Sequence, residues 1–157
     1  IKLGYSHSLL VFVVFMTNIQ DWWYTFQYVD EVEVWTLQIV LFLLIYPILL
    51  LMLARMLFPT GWRGNETNFD DYYYDQWRAL FSVYALTAVV SIAQNMFISG
   101  YEWHTQVLQF IYLVWLLVFI IFKIKERWAH RLFLTLQAII WFFLLTFDNK
   151  GFQAIMG

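Results

Sequence analysis

Long apolar runs separated by short polar segments dominate this chain. Five stretches hold mainly apolar residues over roughly the 20 positions that an α-helix needs to cross a ~30 Å hydrocarbon core. The runs are continuous rather than alternating, so helices fit better than the ~10-residue alternating strands of a membrane barrel. The pattern predicts an all-α integral membrane bundle with five transmembrane helices, over residues 4–26, 34–54, 79–100, 103–122 and 132–147.

The amino-acid composition agrees with a chain embedded in a membrane. Hydrophobic residues make up 62% of the 157 residues and charged residues 13%, whereas soluble domains are about 45–50% apolar and ~25% charged. A core of this size cannot bury so much apolar surface, so the excess must face lipid or apolar protein. The net charge of −2 gives no basic surface for nucleic acid, and without cysteines the chain has neither disulfides nor thiolate metal sites.

The basic residues predict the orientation of the bundle. If the helices alternate in direction, eight of the nine Lys and Arg residues fall on one side, and only Lys150 falls on the other. The positive-inside rule makes the basic side cytoplasmic, so the visible N-terminus lies inside and the C-terminus outside. Most Trp residues lie near the predicted helix ends, as an aromatic belt requires. We expect one domain over residues 1–157, with a cytoplasmic loop over residues 58–77.

Eight polar side chains of the first four predicted helices share the depth of the outer leaflet. Polar residues inside spans are costly and are therefore functional candidates. They can form a pocket that opens outward for a small polar ligand or an ion, or they can join helices by hydrogen bonds worth ~0.6 kcal/mol each on average. Helix joining is favoured, since amides are common between helices and a single member can ionise. The eight residues are Asn18, Gln20, Asp21, Gln38, Gln94, Asn95, Gln106 and Gln109.

Two histidines raise the question of a cofactor. His7 and His130 lie at the cytoplasmic ends of the first and fifth predicted helices. Paired histidines on facing helices can ligate a haem, but these two would have to face each other as well as share a depth. Ordinary interfacial histidine is the favoured interpretation, so we predict no haem, no other cofactor and no metal.

A proline and a group of acidic residues have structural interpretations. Pro47 removes a backbone donor in the middle of the second predicted helix and should kink it. A fixed packing feature is favoured over a hinge, because no second broken helix lies in a symmetric position. Asp70, Asp71 and Asp75 lack the spacing of a calcium loop, so we expect them in a solvated acidic loop, near Arg78.

Three segments carry a resemblance to known sequences. They are Gln20–Phe26, Ile45–Ile48 with the following Ala54–Pro59, and Tyr72–Asp75. They resemble small, uncharacterised multi-pass membrane proteins of bacteria, over roughly residues 1–80. The resemblance implies a bacterial inner-membrane protein with one more helix before Ile1, which would give six helices with both ends outside. It implies no established activity.

Two classes of function remain. The chain has no phosphate-binding Gly-rich loop, zinc-protease helix or nucleophile elbow, so we predict that it is not an enzyme. The favoured function is an accessory or structural subunit of a larger membrane complex, whose partners are the lipid bilayer and other membrane proteins or copies of itself. Small size, many aromatic residues and a midplane poor in ionisable groups favour it. The alternative is a small transporter, channel or receptor that uses the outer polar cluster.

Overall fold

Helices account for all the elements of the described chain. The computed structural model describes residues 4–60 and 68–147. Within them lie α1 (Tyr5–Glu31), α2 (Leu37–Met56), α3 (Phe69–Phe97), a 3-10 turn (Trp103–Gln106), α4 (Val107–Phe122) and α5 (Arg127–Phe147). The predicted all-α fold class is confirmed.

Three segments of the described chain are long and apolar enough to cross a membrane. They are α2, α3 and the continuous helical run Trp103–Phe122, which includes α4. The other two helices, α1 and α5, are not among these three. Both helices carry buried polar side chains, at Ser6, His7 and Thr17 of α1 and at His130 and Gln137 of α5. A helix whose polar groups are paired inside a bundle has a lower mean hydropathy than one that only faces lipid.

The predicted loop over residues 58–77 is shorter in the structure, because α3 begins at Phe69 rather than near Ala79. The side chain of Asn68 caps the helix by accepting from the backbone N–H of Asp70 at 3.2 Å. Asp70 and Asp71 lie in the first turn, where the helix dipole favours carboxylates. The expected solvated loop of carboxylates is therefore helical at residues 69–77, and residues 61–67 of the predicted loop lie outside the described residues.

The helices pack as consecutive antiparallel neighbours, with α1 also against α5. Contacts join α1 to α2, α3 and α5, and join α3 to α2 and α4. The imidazole Nε2 of His7, at the start of α1, donates to the carbonyl of Leu57 at the end of α2, at 2.8 Å. The phenol of Tyr73, at the start of α3, bonds to His130 at the start of α5, at 2.7 Å. Asp70, in the first turn of α3, also accepts from the backbone N–H of Ser6 in the first turn of α1. The starts of α1, α3 and α5 therefore lie at one end of the bundle.

We call that end of the bundle the basic end. All six described Lys and Arg residues lie toward it, and the links α1–α2 and α3–α4 lie at the opposite end. The six are Arg55, Arg78, Lys123, Lys125, Arg127 and Arg131.

His130 is the centre of the packing at the basic end. Its side chain is fully buried, and the rings of Trp77, Phe81 and Phe119 lie 4.9–5.5 Å from it, centroid to centroid. Its Nε2 donates to the carbonyl of Ile124 at 2.8 Å, so its Nδ1 accepts from the hydroxyl of Tyr73. A fully paired imidazole inside an aromatic cluster fixes α5 against α3 and α4.

Asp70 holds the first turn of α1. Its Oδ1 accepts from the backbone N–H groups of Ser6 at 3.0 Å and His7 at 3.3 Å, and these groups have no partner within their own helix. The carboxylate also meets the positive end of the α1 dipole. Gly4 makes this approach possible, since a Cβ added there would overlap the side chain of Asp70.

Candidate functional site

A cavity of about 510 Å³ lies between α1, α2, α3 and the start of α4, toward the end opposite the basic end. Ligand pockets in proteins measure about 300–1,000 Å³. The volume is therefore large enough for a small solute with some of its water.

One face of α1 forms a wall of this cavity. Asp21, Tyr24 and Tyr28 line it at positions three and seven residues apart, with Gln20 and Trp23 beside them. Such spacing brings side chains to one face of an α-helix. The wall therefore combines one carboxylate, one amide and three aromatic rings.

The facing wall comes from α3. Ser91, Gln94 and Asn95 line the cavity at positions three and four residues apart, again on one helical face. Tyr46, from the middle of α2, lines it as well. At ~1.5 Å per residue, Tyr46 lies ~14 Å along the axis from Leu37 at the start of α2. The cavity therefore reaches about halfway along α2.

The 3-10 turn and the start of α4 complete the lining. Thr105, Gln106 and Gln109 contribute polar side chains, and Tyr101 contributes a ring from the link between α3 and the 3-10 turn. That link turns at Gly100, whose φ of 67° lies in the left-handed region that suits glycine. The turn lets the backbone N–H of Tyr101 donate to the carbonyl of Asn95 at 2.9 Å.

Two amide atoms of the lining are buried without a hydrogen-bond partner among the described residues. They are Nε2 of Gln106 and Oε1 of Gln109. The Nδ2 of Asn95 donates to Oε1 of Gln106 at 3.2 Å, which fixes the orientation of the Gln106 amide and leaves its N–H groups unpaired. Gln106 is only 3% exposed. A buried unpaired polar group costs about 1–3 kcal/mol, so a donor and an acceptor are available here to a bound molecule.

Gln94 has a second role, at the proline of α2. Its Nε2 donates to the carbonyls of Phe42 at 2.7 Å and Leu43 at 3.3 Å. Leu43 lies four residues before Pro47, which has no N–H to donate to that carbonyl. The amide of α3 therefore supplies the hydrogen bond that the proline removes, as expected of a fixed packing feature.

The structure brings together six of the eight side chains predicted from the sequence. Asn18 and Gln38 do not line the cavity. The Nδ2 of Asn18 donates to the carbonyl of Val14 in its own helix at 2.7 Å, and Gln38 is exposed at the start of α2. The six that line it are Gln20, Asp21, Gln94, Asn95, Gln106 and Gln109.

Sequence reasoning missed the aromatic part of the lining. The sequence pattern predicts an interfacial belt for most Trp residues and no binding role for the Tyr residues of this region, yet Trp23, Tyr24, Tyr28 and Tyr101 all line the cavity. For Tyr24 and Tyr28 the available signal was their spacing from Asp21, since residues three and seven positions along a helix share its face.

Two buried polar pairs in the middle of the bundle were also missed. Thr17 of α1 donates to the carbonyl of Val13, so it accepts from the hydroxyl of Tyr84 on α3 at 2.6 Å. Gln137 of α5 donates to the hydroxyl of Tyr112 on α4 at 2.7 Å. These pairs lie among apolar residues, where a sequence pattern does not show which side chains face each other.

The two histidines considered for haem both contact protein. His7 bonds to the carbonyl of Leu57, and both ring nitrogens of His130 are paired as described above. Across residues 4–60 and 68–147, His, Asp and Glu side chains do not gather into a group of three that could hold a metal ion.

Comparison of the chain with protein-family models, with curated proteins and with solved structures found no match. The function must therefore be argued from the cavity itself.

Proposed function

We propose that the protein is an integral membrane protein that crosses the bilayer five times and binds a small polar solute in the cavity near its outer surface. The observation that carries this proposal is the cavity, with buried unpaired amide atoms from Gln106 and Gln109. Side chains from four helices line it, so a bound solute would contact most of the bundle. A receptor or a transporter needs such a site, whereas hydrogen bonds that only join helices would leave no unpaired donor and acceptor.

Five crossings are supported by the geometry of α1 and α5. At ~1.5 Å per residue, the 27 residues of α1 extend ~40 Å and the 21 residues of α5 extend ~31 Å. Both lengths reach across a ~30 Å hydrocarbon core. The starts of both helices are bonded to the start of the apolar α3, through Asp70 to Ser6 and through Tyr73 to His130, which supports a path across the same slab of membrane.

The basic end is assigned to the cytoplasm, in a bacterial inner membrane. The described Lys and Arg residues support this orientation, since all six lie toward that end and such residues are retained on the cytoplasmic side. The opposite end carries Asp30, Glu31, Glu33 and Glu102, but acidic residues have little influence on orientation.

Orientation and the α1 crossing can be tested by labelling single cysteines, because the chain has none of its own. We expect Glu33→Cys and Glu102→Cys to react with a membrane-impermeant maleimide on intact cells. Ser8→Cys and Lys125→Cys should react only after permeabilisation. Labelling of Ser8→Cys and Glu33→Cys from the same side would show that α1 does not cross, and the reverse pattern would contradict the orientation.

Solute binding can be tested by thermal unfolding of the purified protein in nanodiscs, followed by tryptophan fluorescence, against a library of small polar solutes. We expect at least one solute to raise the melting temperature, with the shift lost in the double variant Gln106→Leu/Gln109→Leu. The matched control is Gln38→Leu, since Gln38 lies outside the cavity at the same end. An equal shift in the double variant would place binding elsewhere, and no shift with any solute would refute the proposal.

A second candidate function is that of a subunit that packs against other membrane proteins through α4. The supporting observation is a shallow apolar groove along α4, formed by the 3-10 turn and the first half of that helix. Its six side chains are Trp103, Val107, Phe110, Ile111, Val114 and Trp115. Oxidative crosslinking between copies with Val114→Cys would support self-association there, if copies with Leu44→Cys on the similarly exposed face of α2 do not crosslink.

A further inference from the structure

The cavity lining is acidic and aromatic, which narrows the kind of solute that fits it. Asp21 is the one charged residue of the lining, and the rest of it contains no Lys, Arg or His. Within the described chain, the ion pairs lie elsewhere, and none of them includes Asp21. A carboxylate at membrane depth is costly without a partner of opposite charge. A cationic ligand would supply the opposite charge that this partly buried carboxylate does not receive from the ion pairs of the described residues.

The aromatic rings of the lining also favour a positively charged ligand. Trp23, Tyr24, Tyr28, Tyr46 and Tyr101 all line the cavity. The face of an aromatic ring carries a negative potential and attracts ammonium groups, an interaction that strengthens when water is excluded. A lining that combines several aromatic rings with one carboxylate is typical of sites for organic cations rather than for hydrated inorganic ions.

The two unpaired amide atoms add a constraint on the rest of the ligand. Oε1 of Gln109 is an acceptor without a donor, and an ammonium N–H would satisfy it. Nε2 of Gln106 is a donor without an acceptor, and an oxygen of the ligand would satisfy it. Gln106 ends the 3-10 turn and Gln109 lies in the first turn of α4, and both side chains line the same cavity. A ligand with an ammonium group and an oxygen a few bonds apart would pair both.

We propose that the cavity binds a small organic cation in which a primary ammonium group is accompanied by a hydroxyl or carbonyl oxygen. The inference rests on the proposed solute-binding function and names its substrate class. Asp21 and the aromatic rings hold the ammonium group, Gln109 accepts one of its N–H groups, and Gln106 donates to the oxygen. A free amino alcohol carries this pair of groups. The ethanolamine headgroup of a phospholipid carries the same ammonium group two carbons from a phosphate-ester oxygen, which also accepts hydrogen bonds, and it is a second source of this chemistry in the outer leaflet.

The test uses the whole protein in nanodiscs of phosphatidylglycerol, a lipid without an amine. Binding of ethanolamine, serine methyl ester and 1-amino-2-propanol is measured by thermal shift and by calorimetric titration, beside the neutral isosteres ethylene glycol and 1,2-propanediol. We expect at least one ammonium compound to bind tenfold or more tightly than its neutral counterpart. This comparison needs no variant, so it holds even if a substitution in the cavity prevents folding.

Two variants test whether Asp21 supplies the negative charge that binds the ammonium group. We expect Asp21→Asn to weaken ammonium binding at least tenfold while the affinity for a neutral isostere changes less than threefold. The control Asp30→Asn removes an exposed carboxylate of the same helix outside the cavity and should change ammonium binding less than twofold. Equal losses in the two variants would overturn the role of Asp21.

The outcomes separate this inference from the proposed function. If neutral solutes bind as tightly as ammonium compounds, the cavity is a solute site and the cation class is wrong. If no solute of any kind binds, both proposals fail.

Replacing part of the phosphatidylglycerol by phosphatidylethanolamine distinguishes the two sources of ligand. A headgroup ligand would raise the melting temperature of the wild type but not of Asp21→Asn, and would weaken binding of free ethanolamine. A free ligand would leave both values unchanged.

Discussion

The hydrogen bonds from Gln94 to α2 predict a coupling with Pro47 that can be measured. Substitution Gln94→Leu removes an amide that donates to the carbonyls of Phe42 at 2.7 Å and Leu43 at 3.3 Å. Two interhelical bonds at ~0.6 kcal/mol each give ~1.2 kcal/mol, and leaving a buried carbonyl unpaired raises the cost toward ~3 kcal/mol. We therefore expect the free energy of unfolding to fall by about 1–3 kcal/mol.

The same substitution should cost less when residue 47 can donate a hydrogen bond. In a Pro47→Ala background the new N–H reaches the carbonyl of Leu43, four residues earlier, so that carbonyl no longer depends on Gln94. We expect the cost of Gln94→Leu to drop by roughly 1 kcal/mol, which is the coupling energy of the double-mutant cycle.

Equilibrium unfolding by SDS in mixed micelles, followed by tryptophan fluorescence and circular dichroism, gives the four free energies. Gln38→Leu is the control for replacing an exposed glutamine and should change stability by less than about 0.5 kcal/mol. An equal cost of Gln94→Leu in both backgrounds would show that Gln94 does not replace the bond lost at Pro47.

Three further predictions concern the basic end of the bundle and use the same unfolding assay. Asp70→Ala should destabilise the protein by about 1–2 kcal/mol, because the first turn of α1 loses its acceptor. The control Asp75→Ala, at an exposed site of α3, should have little effect. Equal costs of the two substitutions would contradict the capping role of Asp70. Tyr73→Phe should cost about 1–3 kcal/mol by leaving Nδ1 of His130 buried without a donor, and a cost near zero would show that this bond contributes no net stability. Gly4→Ala should cost about 1–3 kcal/mol, because its Cβ overlaps the side chain of Asp70, including the Cβ of that residue. A smaller cost of Gly4→Ala in an Asp70→Gly background, where the whole overlapping side chain is absent, would identify that overlap as the cause, and an equal cost in both backgrounds would contradict it.

The helical class and the middle of each helix could be predicted from the sequence, because continuous apolar runs leave few alternatives in a membrane. The ends were less predictable. Phe69–Trp77 reads as loop when hydropathy alone is considered, since Asp70, Asp71 and Asp75 interrupt it. The structure shows that the first two are favourable in the first turn of a helix and that Asp70 also caps α1. That second contact depends on tertiary packing, which no local pattern records.

The candidate site, too, could be predicted only in part from the sequence. Depth along each predicted helix was enough to group Gln20, Asp21, Gln94 and Asn95, because the distance from a helix end follows directly from residue number. Depth does not give rotation about the helix axis, and so Asn18 was grouped with them although it bonds to its own helix. The aromatic lining was missed for a different reason, since Tyr and Trp near an interface are expected there whether or not they line a cavity.

The packing of α5 against α1 has a consequence for biosynthesis. The hydroxyls of Tyr5 and Thr135 are bonded at 3.0 Å although 130 residues separate them in the chain. At a synthesis rate of about 5–20 residues per second, Thr135 follows Tyr5 from the ribosome after about 7–26 s. For that time the face of α1 that α5 will cover is open to lipid, to the insertion machinery or to quality-control proteases. A nascent chain that stalls before α5 would thus keep its first helix unprotected, and the last helix would complete assembly and end that exposure in one step.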